Sequence, residues 1–154
     1  MNDTARPSAA HATHVACPHC HATNRVPSQR LGDDPVCGRC GRALLDGRPL
    51  ELSDADFDPV VAASGLPVVV DFWAPWCGPC QQMAPQFEQA ARTLKGRVLL
   101  AKVNSDDNPR TASRFGIRSI PTLVRLHNGR ETHRQSGAIP AGAIVQLAGA
   151  VSPA

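Results

Sequence analysis

An apolar segment, Leu66-Pro67-Val68-Val69-Val70-Asp71-Phe72-Trp73, runs almost directly into Trp76-Cys77-Gly78-Pro79-Cys80. So continuous a run predicts a strand over Val68 to Phe72, buried on both faces and interrupted by one acid. Beyond it, Met83, Phe87, Ala90, Ala91 and Leu94 recur at helical spacing and predict a helix from Cys77 to about Lys95, ended by Gly96. Pro85 lies inside that helix and should kink it. A buried strand, a tight turn and an amphipathic helix in that order need cover on both sides, which points to a layered α/β unit.

The rest of the chain supplies the cover. Leu50-Glu51-Leu52 reads as an edge strand, and Val98 to Val103 as a second buried one. A short helix before Ser64-Gly65 has two candidate starts, Ser53 with Asp56 or Asp58-Pro59. Pro109 to Phe115 reads as another short helix. Thr122 to Leu126 and Glu131 to Gln135 flank Asn128-Gly129, the strongest short hairpin signal. Ala141 to Val151 reads as a closing helix. The expected architecture is a mixed central sheet flanked by helices.

Ahead of this unit the composition changes. Residues 1–14 are rich in Ala, Thr and His and read as a flexible N-terminus. Residues 15–46 hold four cysteines and few large apolar groups; residues 47–52 form a linker that enters the edge strand, and residues 53–154 make up the α/β domain. A piece of about 30 residues cannot build an adequate core and usually needs a metal or disulfides. Cys17-Pro18-His19-Cys20 and Cys37-Gly38-Arg39-Cys40 stand 16 residues apart, within zinc-ribbon spacing. Each pair can bend round one side of an ion, so that four thiolates form a tetrahedron about one structural zinc. Gly38 and Gly41 suit the tight turns, whereas His21 stands where a glycine would be easier. Two disulfides or a second redox pair are the alternatives, disfavoured by spacing and by a reducing compartment. His19 and His21 could replace a thiolate, but four thiolates already fill the site, so both are expected at the surface, as are His127 and His133.

The first sixteen residues contain no apolar run long enough for an export signal, and no stretch of about 18 apolar residues occurs, so a cytoplasmic location is expected. The formal charge of +3 would fall to about +1 with four thiolates and one zinc ion bound. The charge is dispersed. Arg25, Arg30, Arg39 and Arg42 are offset by Asp33, Asp34 and Asp46, and few aromatics are available for stacking. Neither nucleic acid nor a membrane is an expected partner.

In a reducing compartment the third pair, Cys77 and Cys80, suggests redox chemistry. A thiolate is stabilised at a helix N-terminus by unpaired N–H groups and the helix dipole. Cys77 is therefore expected to be the exposed attacking sulfur, and Cys80, one turn deeper, the shielded sulfur that resolves the mixed disulfide. Pro79 restrains the intervening loop, and Gly78 permits close approach of a partner chain. Asp71, among valines, should have a raised pKa.

The run Asp71-Phe72-Trp73-Ala74-Pro75-Trp76-Cys77-Gly78-Pro79-Cys80 resembles the thioredoxin signature. The resemblance continues through Pro85, Ala101-Lys102-Val103-Asn104, Phe115 to Thr122, Gly129 and Gly137-Ala138. It covers about residues 53 to 151 and implies the thioredoxin fold with protein-disulfide reductase activity. It further implies that Asp71, near Lys102, exchanges a proton with Cys80. By the same resemblance, Ile120-Pro121 is cis against the sulfurs, and Trp76, Gly78, Pro79, Ile120, Pro121, Gly137 and Ala138 form a shallow apolar docking face. Together with the ribbon Cys17, Cys20, Cys37 and Cys40, the chain resembles the zinc-binding bacterial thioredoxins of the thioredoxin 2 type.

No nucleotide-binding glycine motif occurs, so no bound nucleotide or flavin is expected and electrons must come from a separate protein, an NADPH-dependent thioredoxin reductase. The other expected partners are disulfide-containing proteins, met by a monomer. The competing function is a redox-regulated zinc-ribbon binding module or holdase, in which oxidation of the four cysteines ejects zinc. An envelope oxidase or isomerase is disfavoured by the missing export signal and by Gly78-Pro79.

Overall fold

The computed structural model describes residues 11–150. Most of the expected flexible N-terminus lies outside them. A two-stranded antiparallel ribbon opens the described chain, β1 (Ala12–Ala16) paired with β2 (Thr23–Pro27). β1 thus takes in Ala12, Thr13 and His14, which composition alone assigned to the flexible end. β3 (Leu50–Glu51), α1 (Asp54–Val61), β4 (Val68–Trp73), α2 (Gly78–Thr93), β5 (Leu99–Asn104), α3 (Pro109–Arg114), β6 (Thr122–His127), β7 (Arg130–Ser136) and α4 (Ala141–Ala148) follow.

The five-stranded sheet has the order β3-β5-β4-β6-β7. β3 and β4 run parallel to β5, while β6 is antiparallel to both β4 and β7. β4 is central, which is why its residues are apolar on both sides. Side chains alternate along a strand. Val70 and Phe72 therefore meet Phe57 and Val60 of α1, whereas Val69 meets Met83 and Phe87 of α2 and Ile144 of α4. Asp71 shares its parity with Val69 and lies on the face that α2 covers.

Of the two candidate starts for α1, Ser53 is the one used: its Oγ accepts the Asp56 N–H, and Pro59 sits inside the helix. Asp54 then ties α1 to α3, accepting hydrogen bonds from Thr111 N at 2.9 Å and Thr111 Oγ1 at 2.6 Å. Another long-range tie is Arg125, buried in β6, whose Nε donates to the Ala148 carbonyl at the end of α4 (3.0 Å). A cation there complements the negative helix end.

The ribbon packs on the α1 face of the sheet. Val15, Cys17, Val26, Leu31, Cys37, Leu44 and Leu45 are buried in one cluster with Phe57, Val60, Val61 and Leu66. Two glycines expected only to stop helices turn out to admit it. The Gly65 N–H donates to the His14 carbonyl (2.8 Å), and a Cβ at Gly65 would fall 2.9 Å from Thr13 Cγ2. Gly96, at φ +79°, would place a Cβ 3.1 Å from the backbone of Leu31 and Gly32. His21 is held as well, its Nε2 lying 2.7 Å from Asp56 Oδ1, so it is not the free surface histidine that a filled metal site implied.

Candidate functional site

Cys77 does not begin the helix but caps it. Its backbone is extended (φ −85°, ψ 111°), its Sγ accepts the Cys80 N–H at 3.2 Å, and its carbonyl accepts the Gln81 N–H at 3.1 Å. The expectation of a helical Cys77 missed by one residue because sulfur satisfies a first-turn donor that would otherwise be unpaired. Cys77 and Cys80 are joined as a disulfide, with their Cα atoms 5.2 Å apart.

The two residues are equally buried, 4% and 3% exposed, contrary to the expected difference in accessibility. In the oxidised pair each sulfur is turned toward the other, and Cys77 Sγ lies 3.7 Å from the Ile120 carbonyl oxygen. What distinguishes them is backbone position: Cys77 stands at the cap and Cys80 inside the first turn.

Around the pair stand the remaining residues singled out from sequence. Trp76 is 71% exposed and held in place by a hydrogen bond from its Nε1 to Asp106 Oδ2 (2.8 Å). Sequence reading missed Asp106, 30 positions further on, because nothing local signals that a loop after β5 returns to this tryptophan. Gly78 and Pro79 are exposed in the first turn of α2, and a Cβ at Gly78 would meet open space. The Ile120–Pro121 peptide is cis. The Pro121 carbonyl accepts the Gly137 N–H at 2.8 Å, and Gly137 takes φ +92°, which favours glycine. Trp76, Gly78, Gly137 and Ala138 are exposed, Ile120 is half-buried, and Pro121 is buried.

Asp71 is 1% exposed, and its Oδ1 has no hydrogen-bond partner among the described residues. Burial pushes its carboxyl up to about 7, against the attraction of Lys102 and with a further push from Glu51. In parallel register, Asp71 of β4 stands beside Lys102 of β5, whose Nζ lies 4.5 Å from the centroid of the Trp73 ring. Lys102 thus does not simply reach for solvent, the ordinary behaviour of a strand lysine.

At the far end of the ribbon, Cys17, Cys20, Cys37 and Cys40 place four sulfurs within 4.8 Å of one another. Cys17 and Cys40 stand 3.6 Å apart, as do Cys20 and Cys37. A tetrahedral metal–thiolate site has sulfur–sulfur edges of about 3.8 Å. Backbone N–H groups already point at sulfur: His19 to Cys17 at 3.4 Å and Arg39 to Cys37 at 3.3 Å. The two knuckles repeat one geometry, with Cys17 N bonded to Ala22 O, Cys37 N to Arg42 O, and left-handed backbone at His21 (φ 66°) and Gly41 (φ 78°). The N–H of Cys40 draws the Cys37 thiol down to about 6. For Cys20, a backbone hydrogen bond at Ala22 is outweighed by desolvation and the neighbouring thiols, which drive it up to about 11. Four sulfurs this close cannot all ionise without a cation, so the donor set fits a metal ion.

Two family descriptions match the chain, "Thioredoxin" over residues 48–150 and "Thioredoxin 2, N-terminal" over residues 16–42. The chain belongs to the thioredoxin family. It is 45% identical over 125 residues to thioredoxin C-3 of Corynebacterium nephridii, covering 81% of this chain and 86% of that one. To a thioredoxin of Haemophilus influenzae it is 48% identical over 91 residues, covering 59% of this chain and 85% of that one. The crystal structure of chloroplastic thioredoxin z superposes with a TM-score of 0.61 at 31% identity, covering 66% of this chain and 92% of that one. This thioredoxin is a dithiol–disulfide oxidoreductase with protein-disulfide reductase activity. It carries an N-terminal zinc-ribbon unit with a four-cysteine site for a metal ion. Its partners are disulfide-bearing proteins and, in general terms, a reductase. Among the described residues no helix is long and apolar enough to cross a membrane.

Proposed function

We propose that this thioredoxin reduces protein disulfides in the cytoplasm through Cys77 and Cys80, acts as a monomer, and is recharged by an NADPH-dependent thioredoxin reductase. The observation that carries the reading is the Cys77–Cys80 disulfide at the cap of α2. Cys77, as thiolate, attacks one sulfur of a substrate disulfide; a mixed disulfide forms and the other substrate sulfur leaves as a thiolate. Asp71, with Lys102 beside it, takes the proton of Cys80. The Cys80 thiolate then attacks Cys77 Sγ, the mixed disulfide breaks, and the second substrate sulfur leaves. The product is the Cys77–Cys80 disulfide, and two electrons have passed to the substrate. Trp76, Gly78, Pro79, Ile120, Pro121 and Gly137 offer the extended substrate segment a shallow, largely apolar face of low specificity. Supplied with NADPH and a bacterial thioredoxin reductase, the protein should turn over insulin disulfides; absence of NADPH consumption would overturn the reading.

The unit that begins with β1 at Ala12 and runs to residue 46 would be held together by one structural zinc through Cys17, Cys20, Cys37 and Cys40, and the redox domain follows from β3 onward. When bound, the ion would supply a cross-link and neutralise the thiolates; the chain supplies the knuckles and the N–H donors that orient the sulfurs. One equivalent of zinc should copurify. Chelation under reducing conditions should lower the melting temperature by several degrees, because apolar surface shared with α1 loses its cover. Retained thermal stability after complete metal loss would remove the structural role.

A further inference from the structure

Glu51, Lys102 and Asp71 occupy one lateral row across three parallel strands: Glu51 of β3 pairs with Lys102 of β5, which pairs with Asp71 of β4. Residues in parallel register point to the same face. With strands about 4.8 Å apart, the strands that carry Glu51 and Asp71 lie about 10 Å apart, with the strand that carries Lys102 between them. One end of the row is sealed, since Asp71 is buried and its Oδ1 has no hydrogen-bond partner among the described residues. The other end is wet, since Glu51 and Lys102 line a cleft of about 480 Å³. Glu51 is faced there by Lys102, by Glu88 and Arg92 of α2, and by Asp46 and Arg48 ahead of β3; His19 lies across a neighbouring cleft. Arg48 is engaged with Asp46 at 3.0 Å. Lys102 is thus placed to answer to two acids.

We propose that Glu51 is a positioning residue of the redox site: it shares Lys102 with Asp71, and so keeps the buried acid able to release and regain a proton through the cleft. Without Glu51 the ammonium would settle on Asp71 and hold it as a poorly basic carboxylate. This rests on the proton-transfer role assigned to Asp71 above. Its direction agrees with the push that Glu51 exerts on the Asp71 carboxyl.

The test is a carboxyl-carbon NMR titration of Asp71 in the oxidised, full-length, metal-loaded protein, where the cysteine pair does not titrate. Glu51→Gln should lower the Asp71 midpoint by about half a pH unit or more. Glu51→Asp should restore most of it, and the pH at which a Cys77 mixed disulfide is resolved at half its maximal rate should move in step. In a Lys102→Gln background the Glu51→Gln shift should shrink. An unchanged midpoint in a Glu51→Gln protein of normal melting temperature would overturn the proposal. An equal shift in both backgrounds would do so too, because the lysine would then carry none of the effect. A shifted midpoint alongside normal resolution in Asp71→Asn would instead overturn the proton-transfer reading.

Discussion

Cys77→Ser should reduce insulin turnover to background, whereas Cys80→Ser should complete a single attack and stall with substrate covalently attached to Cys77. The difference follows from backbone position, since the two side chains are equally buried. A sulfur at the helix cap receives the first-turn N–H of Cys80 and the positive end of the dipole, and both stabilise its anion. Cys80, inside the turn, serves as the internal nucleophile that displaces the bound chain. Mass spectrometry of the Cys80→Ser protein incubated with a model disulfide should find the adduct on the peptide bearing Cys77. An adduct on Cys17, Cys20, Cys37 or Cys40 would invalidate the assignment.

Asp71→Asn should make the protein more stable and slower. A carboxyl raised from 3.8 to about 7 by burial favours the neutral form in the folded state. Below pH 3.8 the acid is protonated in both the folded and unfolded chain and imposes no penalty. Between 3.8 and about 7 the unfolded chain releases its proton first, so stability falls as pH rises, and above 7 the loss is constant. Each pH unit between the two midpoints is worth about 1.4 kcal/mol, so the amide should gain about 4 kcal/mol at pH 8 and almost nothing near pH 3.5. Denaturant melts at the two pH values measure it, and an equal gain at both would mean that ionisation is not the cause. Resolution of the mixed disulfide should slow about tenfold or more near pH 7, since an amide cannot accept the Cys80 proton.

The central strand, the capped helix and the Asn128-Gly129 hairpin could be read from the chain because each is decided locally, by side-chain alternation, helical spacing or a turn that only certain residues enter. The four-cysteine spacing was equally readable, since a metal site has a fixed geometry. What sequence could not supply was lateral. Glu51 and Asp71 are separated by 20 positions and meet only through the register of two strands with β5. Asp106 reaches Trp76 from a loop. Gly65 and Gly96 read as helix stops, a correct but partial account, because the chain that approaches them lies far away in sequence. His21 looked like a mild misfit in a knuckle; its left-handed backbone is accompanied by a contact with Asp56 on another element. Ser53 prevailed over Asp58 because its hydroxyl both accepts from Asp56 N and donates to Asp56 Oδ2, a reciprocal closure that Asp58-Pro59 cannot match.

The apolar cluster that runs without a break from Cys17 and Leu44 to Val60 and Leu66 makes the small N-terminal unit more than an accessory. A chain cut at residue 47 would present to water a greasy patch made of Val60, Val61 and Leu66 where β1 had lain. Such a fragment would keep its cysteine pair yet should clump more readily than the whole chain, because the patch that the ribbon covers would face water.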